Sequence, residues 1–149
     1  MYYNDIQTNK FKAFRIFGAY KSLSLLNDNN INKFFIDTTY KSVPNDLEDA
    51  KCLLVILGYN YTKDLFELIL VALLSHEDTN ILIEFYQFII NTYKWKPKIL
   101  NFDFARANIN TLKEVFKNND DIKLIRCFFR LLRSWWRKAC SFGLRKKDI

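Results

Sequence analysis

Residues 34–40 read Phe34-Phe35-Ile36-Asp37-Thr38-Thr39-Tyr40, and residues 99–103 read Ile99-Leu100-Asn101-Phe102-Asp103. Each stretch has the aromatic and β-branched composition of a strand. Each also carries one carboxylate, in the middle of the first and at the end of the second. A carboxylate in or beside an apolar strand is costly to bury unless something pairs with it. If the first and fourth strands of a sheet lie side by side, two such acids can converge to hold one or two Mg²⁺ ions. Two ions about 3.5–4 Å apart activate a water or a 3′-hydroxyl and stabilise the leaving oxygen in phosphoryl transfer. The plainer alternative is that each aspartate caps a turn.

Between these strands, Cys52 to Tyr59 is a continuous apolar run, the pattern of a strand buried on both faces. Asn60 to Lys63 is a turn of hairpin length, and Leu65 to Leu74 is a second apolar run, a third strand or a buried helix. After Ser75, a candidate N-cap followed by Glu77 and Asp78, the period changes. Ile81, Phe85, Phe88, Ile89 and Tyr93 recur at helical spacing until Trp95-Lys96-Pro97. Downstream of Asp103 the pattern predicts a helix over 105–116, a strand over 120–125 and a helix over 128–142. Upstream, Phe14 to Gly18 reads as a short strand and Lys21 to Leu26 as a helical turn or two. The order from residue 34 is β-β-β-α-β-α-β-α, which predicts an α/β domain with a mixed five-stranded sheet flanked by helices. Residues 1–32 are then a lead-in and 33–149 the domain.

Composition narrows the function. Half of the 149 residues are apolar and 14 Phe, 8 Tyr and 3 Trp are present, which excludes a disordered chain. No apolar run approaches the roughly 20 residues of a spanning helix, and no membrane partner is expected. The first residues lack a secretory pattern. Three cysteines, Cys52, Cys127 and Cys140, form no C-x-x-C pair, and His76 is the single histidine, so neither a disulfide scaffold nor a Cys/His zinc module is indicated. His76 reads as a helix-start residue and Cys127 as a structural thiol. Glycine-rich phosphate loops are absent, which removes support for nucleotide-dependent chemistry and a small-molecule substrate.

Net charge is +7, carried entirely by the C-terminal segment, where nine Lys or Arg between Lys123 and Lys147 face only Asp148. Arg126, Arg130, Arg133 and Arg137 recur at helical spacing as one basic stripe, with Lys138, Arg145, Lys146 and Lys147 beyond it. Phe128, Leu131, Leu132, Trp135, Ala139 and Phe142 form the opposite, apolar face, expected to dock on the sheet. Such a stripe either follows a DNA backbone, with salt-dependent affinity, or is an ordinary solvated face. Trp135 and Trp136 are candidates for a self-association surface.

Several of these stretches share a resemblance. Phe34-Phe35-Ile36-Asp37-Thr38-Thr39-Tyr40-Lys41 resembles the F-I-D-G-T-F-K first-aspartate strand of Mutator-like (MULE) transposases. Leu53-Leu54-Val55-Ile56-Leu57-Gly58-Tyr59 and Val71-Ala72-Leu73-Leu74-Ser75-His76 resemble that domain's next two strands. Trp95 to Phe104, followed by Ala107, is similar to its second-aspartate strand. Cys127-Phe128-Phe129, Trp136-Arg137-Lys138 and Leu144-Arg145-Lys146-Lys147 resemble the helix that follows.

The resemblance implies a ribonuclease-H-like fold and the DDE chemistry of DNA transposition. Asp37 and Asp103 would be the first two catalytic, metal-binding acids, using Mg²⁺ or Mn²⁺ for DNA strand cleavage and transfer, with DNA as partner and the nucleus as location. The departures are Thr38 in place of Gly, Ala105 in place of Glu, and Arg130 in place of the His of a C-x-x-H motif. The third acid, a Glu on a later helix, has no counterpart before Ile149, and Glu84 is a weak substitute. The chain is therefore expected to be a fragment of the catalytic core. The alternative is a catalytically inactive remnant that binds DNA or oligomerises.

Overall fold

The computed structural model describes residues 2–5, 14–39, 43, 50–103 and 105–141. Its centre is a seven-stranded mixed sheet in the order β1-β2-β5-β4-β3-β6-β7. The strands are β1 (Tyr2–Asp5), β2 (Phe14–Gly18), β3 (Lys33–Thr39), β4 (Cys52–Asn60), β5 (Leu65–Leu74), β6 (Ile99–Phe102) and β7 (Lys123–Arg126). Every neighbouring pair from β1 to β3 is antiparallel, whereas β3–β6 and β6–β7 are parallel. The helices are α1 (Tyr20–Ser24), continued by a 3₁₀ turn at Leu25–Asn27, then α2 (Thr79–Tyr93), α3 (Arg106–Val115) and α4 (Phe128–Ser141). The protein is thus α/β, with a mixed sheet flanked by helices, and Leu65–Leu74 is a strand rather than a buried helix. None of the helices is long and apolar enough to cross a membrane.

Two differences from the sequence pattern concern the sheet. It holds two strands more than the five expected, because β2 adds to the free edge of β5 and β1 adds to β2. Phe14, Ile16, Leu23 and Leu26 from this N-terminal stretch enter the same core as the later strands. The second difference is in β4, whose residues alternate instead of being covered on both faces. Cys52, Leu54, Ile56, Gly58 and Asn60 are buried, while Leu53, Val55, Leu57 and Tyr59 are only half-buried. Alternation is the signature of a sheet with one packed face.

That packed face carries Phe34, Ile36, Leu54, Ile56, Leu70 and Leu100 against Leu82, Phe85, Tyr86 and Ile89 of α2 and Leu112 of α3. Trp95 closes one end, with its ring edge-on to Phe34 at 5.3 Å and to Phe116 at 6.1 Å. An irregularity in the β4–β5 register sets Ile56 against Leu70 but Leu57 against Leu68, and the extra residue, Ile69, is fully buried. Gly58 makes room for it. A Cβ there would sit 2.6 Å from Ile31 Cγ2 and 3.1 Å from Ile69 Cδ1.

The N-cap of α2 lies three residues after the candidate cap. Ser75 is not the N-cap; Asp78 is, and its carboxylate accepts from the Asn80 and Ile81 amides. This leaves Glu77 outside the helix, on the segment that leads out of β5. Lys94 ends α2 in the left-handed region at φ 55°, the position more often given to glycine.

Candidate functional site

Strands β3 and β6 run parallel with Phe35 level with Asn101, so the chain two residues further on brings Asp37 and Asp103 to the same end of the sheet. The two carboxylates enter different surroundings. Asp37 is exposed on the open face, opposite Val55, whereas its neighbour Thr38 is buried on the packed face. Asp103 is buried and reaches Thr38, with Thr38 Oγ1 3.2 Å from Asp103 Oδ2.

The acid that shares partners with Asp103 is Glu77. Thr38 Oγ1 lies 2.7 Å from Glu77 Oε1, so its single proton serves one of the two carboxylates at a time. Asn108, fully buried on the first turn of α3, supplies the second link. Its Nδ2 donates to Glu77 Oε1 at 3.0 Å and to Asp103 Oδ1 at 3.1 Å. The Ala105 amide adds a third donor, 3.0 Å from Asp103 Oδ1, an Asx turn just ahead of α3. Asn108 Oδ1 is buried and has no hydrogen-bond partner among the described residues. Thr111 Oγ1, one turn along, donates to the Thr79 carbonyl at 3.3 Å and ties α3 to the start of α2. Four separate segments therefore meet through Thr38, Glu77, Asp103 and Asn108.

Two further groups feel these charges. Burial, and then the charge of Glu77, pushes the Cys52 thiol up to about 12. Burial, then Asp103 and Glu77, raises the Tyr86 phenol. Cys52 is consequently a protonated core thiol at neutral pH and no nucleophile.

The cluster does not fit the two-ion arrangement that the resemblance implies. Mg²⁺ and Mn²⁺ are held by oxygen donors, and Glu77, Asp103 and Thr38 are of that kind. What faces both carboxylates, however, is the N–H₂ group of Asn108, a donor that stabilises anions itself. Asp37 looks out from the other face. Among the described residues no three His, Cys, Asp or Glu side chains gather around one point.

The remaining sequence candidates are scattered. Glu84 is exposed on α2, and His76 is exposed ahead of that helix. Arg126 is exposed at the end of β7, and Arg137 and Lys138 are exposed on α4. Arg130 and Arg133 belong to the backbone of α4, while Arg145, Lys146 and Lys147 lie outside the described residues. On the expected apolar side of α4, Leu132 is 44% and Trp135 61% exposed rather than docked on the sheet, while the side chains at 128, 131, 139 and 142 lie outside the described residues. The physical reason is that α1, α2 and α3 already fill the packed face among the described residues.

Sequence reasoning missed Glu77 and Asn108. Glu77 resembled an ordinary first-turn acid, and Asn108 is one of many asparagines in the chain. The one available signal for Asn108 was its position five residues after Asp103, on the buried side of an amphipathic helix. No protein-family model matches the chain, and no curated protein matches it in sequence.

Proposed function

We propose that the chain is a ribonuclease-H-like domain of the Mutator-like DDE transposase type, which binds DNA in the nucleus and does not itself cleave it. The supporting observation is the sheet order. An antiparallel β5-β4-β3 meander continues into parallel β6 and β7, with an aspartate at the same end of each of the two adjacent strands β3 and β6. A crossover helix before each parallel strand completes the β-β-β-α-β-α-β-α series.

The silent form is favoured over a working core by the Asn108 amide. It donates to one oxygen of each of Glu77 and Asp103, so part of their charge is already stabilised without an ion. Contact with duplex DNA is assigned to Arg126, Arg137 and Lys138, whose exposure suits phosphate contacts that position a protein without reading sequence.

The test is nicking of supercoiled DNA with Mn²⁺, alongside salt-titrated binding to a duplex, for the wild-type chain, Asp37→Ala, Asp103→Ala and Arg137→Ala/Lys138→Ala. The expected result is no nicking by any protein. Binding should weaken with salt, survive both aspartate variants and fall in the double variant. Nicking by wild type that disappears in both aspartate variants would instead establish a working metal centre and overturn the silent reading.

A further inference from the structure

The open face of the sheet carries a cluster of aromatic rings that the acid cluster and α4 leave unused. Phe66 is 57% and Tyr61 49% exposed, beside half-buried Tyr59 and Phe35. The rings touch in sequence. Phe35 meets Phe66 at 5.1 Å, Phe66 meets Tyr59 at 5.2 Å, and Tyr59 meets Tyr61 at 4.9 Å. Tyr59 is held in place by donating its hydroxyl proton to Asp64. Lys33 Nζ lies 5.1 Å from the centre of the Phe35 ring.

The strand registers align this cluster with basic residues. Phe66, Tyr59, Lys33, Ile99 and Lys123 are directly opposite one another across β5, β4, β3, β6 and β7. Residues level with each other share a face, so one row of the open face holds two aromatic rings and two lysines with no acid. Exposed Asp120 and Asp121 precede Lys123 along the chain, and Asp28 accepts from the Asn30 amide. Asp64 accepts from Tyr59, and Glu67 accepts from Lys63 and Asn60. Asp37 lies four residues along β3, roughly 13 Å away.

We propose that this face binds single-stranded DNA, with bases stacked on Phe66, Tyr59, Tyr61 and Phe35 and phosphates held by Lys33 and Lys123. The proposal rests on the reading of this chain as a DNA-binding domain. Unpaired bases present flat apolar faces that stack on aromatic side chains whatever their identity, while a duplex hides those faces. Five strands span about 19 Å, room for a segment of about four nucleotides, the small end of single-strand site sizes. Charge complementarity separates this occupant from a second copy of the chain. Two cations in a row that holds no acid suit a polyanion, whereas an isologous contact would bring those lysines near one another.

The experiment measures binding of the full chain to a short fluorescent oligo(dT) and to a duplex of equal length. The proteins are wild type, Phe66→Ala, Tyr61→Ala and Arg137→Ala/Lys138→Ala, with sedimentation run in parallel. Both aromatic positions are exposed, so the variants should keep the wild-type melting temperature. The expected result is about tenfold weaker oligo(dT) binding on loss of Phe66, a smaller loss for Tyr61, and unchanged duplex binding in both. Unchanged oligo(dT) affinity in both variants overturns the proposal, as does a wild-type dimer that Phe66→Ala dissolves. Duplex binding without any oligo(dT) binding overturns this proposal and leaves the proposed function standing. Absence of both kinds of binding overturns both.

Discussion

The two faces of this sheet are built from the same strands, residue by residue in alternation, yet they have opposite fates. On the packed face, Phe34, Ile36, Leu54 and Ile56 lie under α2 and α3. The polar groups at its end, Thr38, Asp103 and Asn108, are buried and bonded to one another. On the open face, Phe35, Leu57, Tyr59, Phe66 and Leu68 are comparably apolar but half-buried or exposed, and Asp37 meets solvent. Hydrophobicity alone therefore does not say which face is core. Helices α2 and α3 decide it, because each has one apolar stripe and both cover the same surface.

Four measurements sharpen or break that contrast. The largest effect is expected for Phe85→Ala. This side chain is fully buried against Phe14 and Tyr86, and its removal should cost about 4 kcal/mol in urea unfolding. A loss below about 1 kcal/mol would mean that the packed face is much looser than described. Asn108→Ala comes next, at about 2 kcal/mol, because two carboxylates lose the amide they share. Stability equal to wild type would show that water or another donor replaces it and that the cluster holds little together. Removing the α2 cap with Asp78→Ala should cost about 1 kcal/mol by the same assay. On the open face, Phe66→Ala should stay within about 0.5 kcal/mol of wild type; a larger loss would make that face a second core.

The pH dependence follows from Cys52, with no effect at neutral pH. Its folded-state value is raised from an ordinary value near 9 to about 12, so the folded protein holds the proton more tightly than the unfolded chain. The stabilising contribution is complete below pH 9 and declines as pH rises towards 12. Urea titrations across that range should show a shallower decline in Cys52→Ala. In thiol labelling at neutral pH, exposed Cys140 should react while buried Cys52 stays inert until the protein unfolds.

Apart from β1, which has no counterpart in the sequence reading, the strands and helices were legible because their signals are local. Leu65–Leu74 is bounded by a polar turn and by Ser75, and α2 carries an uninterrupted helical period up to the Trp95-Lys96-Pro97 stop. The acid cluster was legible only in part. Asp103 stood out as a carboxylate ending an apolar strand, but its partners come from residues distant along the chain, 31 positions separating Glu77 from Asn108. The cap of α2 was misplaced because Ser75 and Asp78 are both good caps. The choice between them depends on where β5 ends, and that is set by pairing of Leu74 with Cys52 and Phe14.

From its sequence alone this chain is committed to β and α segments in a set order, to one aspartate within a strand and another just past a strand, and to a basic C-terminal segment. Those follow from side-chain period, turn chemistry and charge, all properties of neighbours along the chain. Tertiary structure alone decided that β2 joins β5, that Ile69 is forced inward beside Gly58, and that Asp103 pairs its fate with Glu77 while Asp37 turns away. It also left the aromatic face of the β4–β5 hairpin uncovered. Each of these depends on which surfaces meet across the sheet, where burial and hydrogen-bond satisfaction are settled between residues that the chain itself keeps far apart.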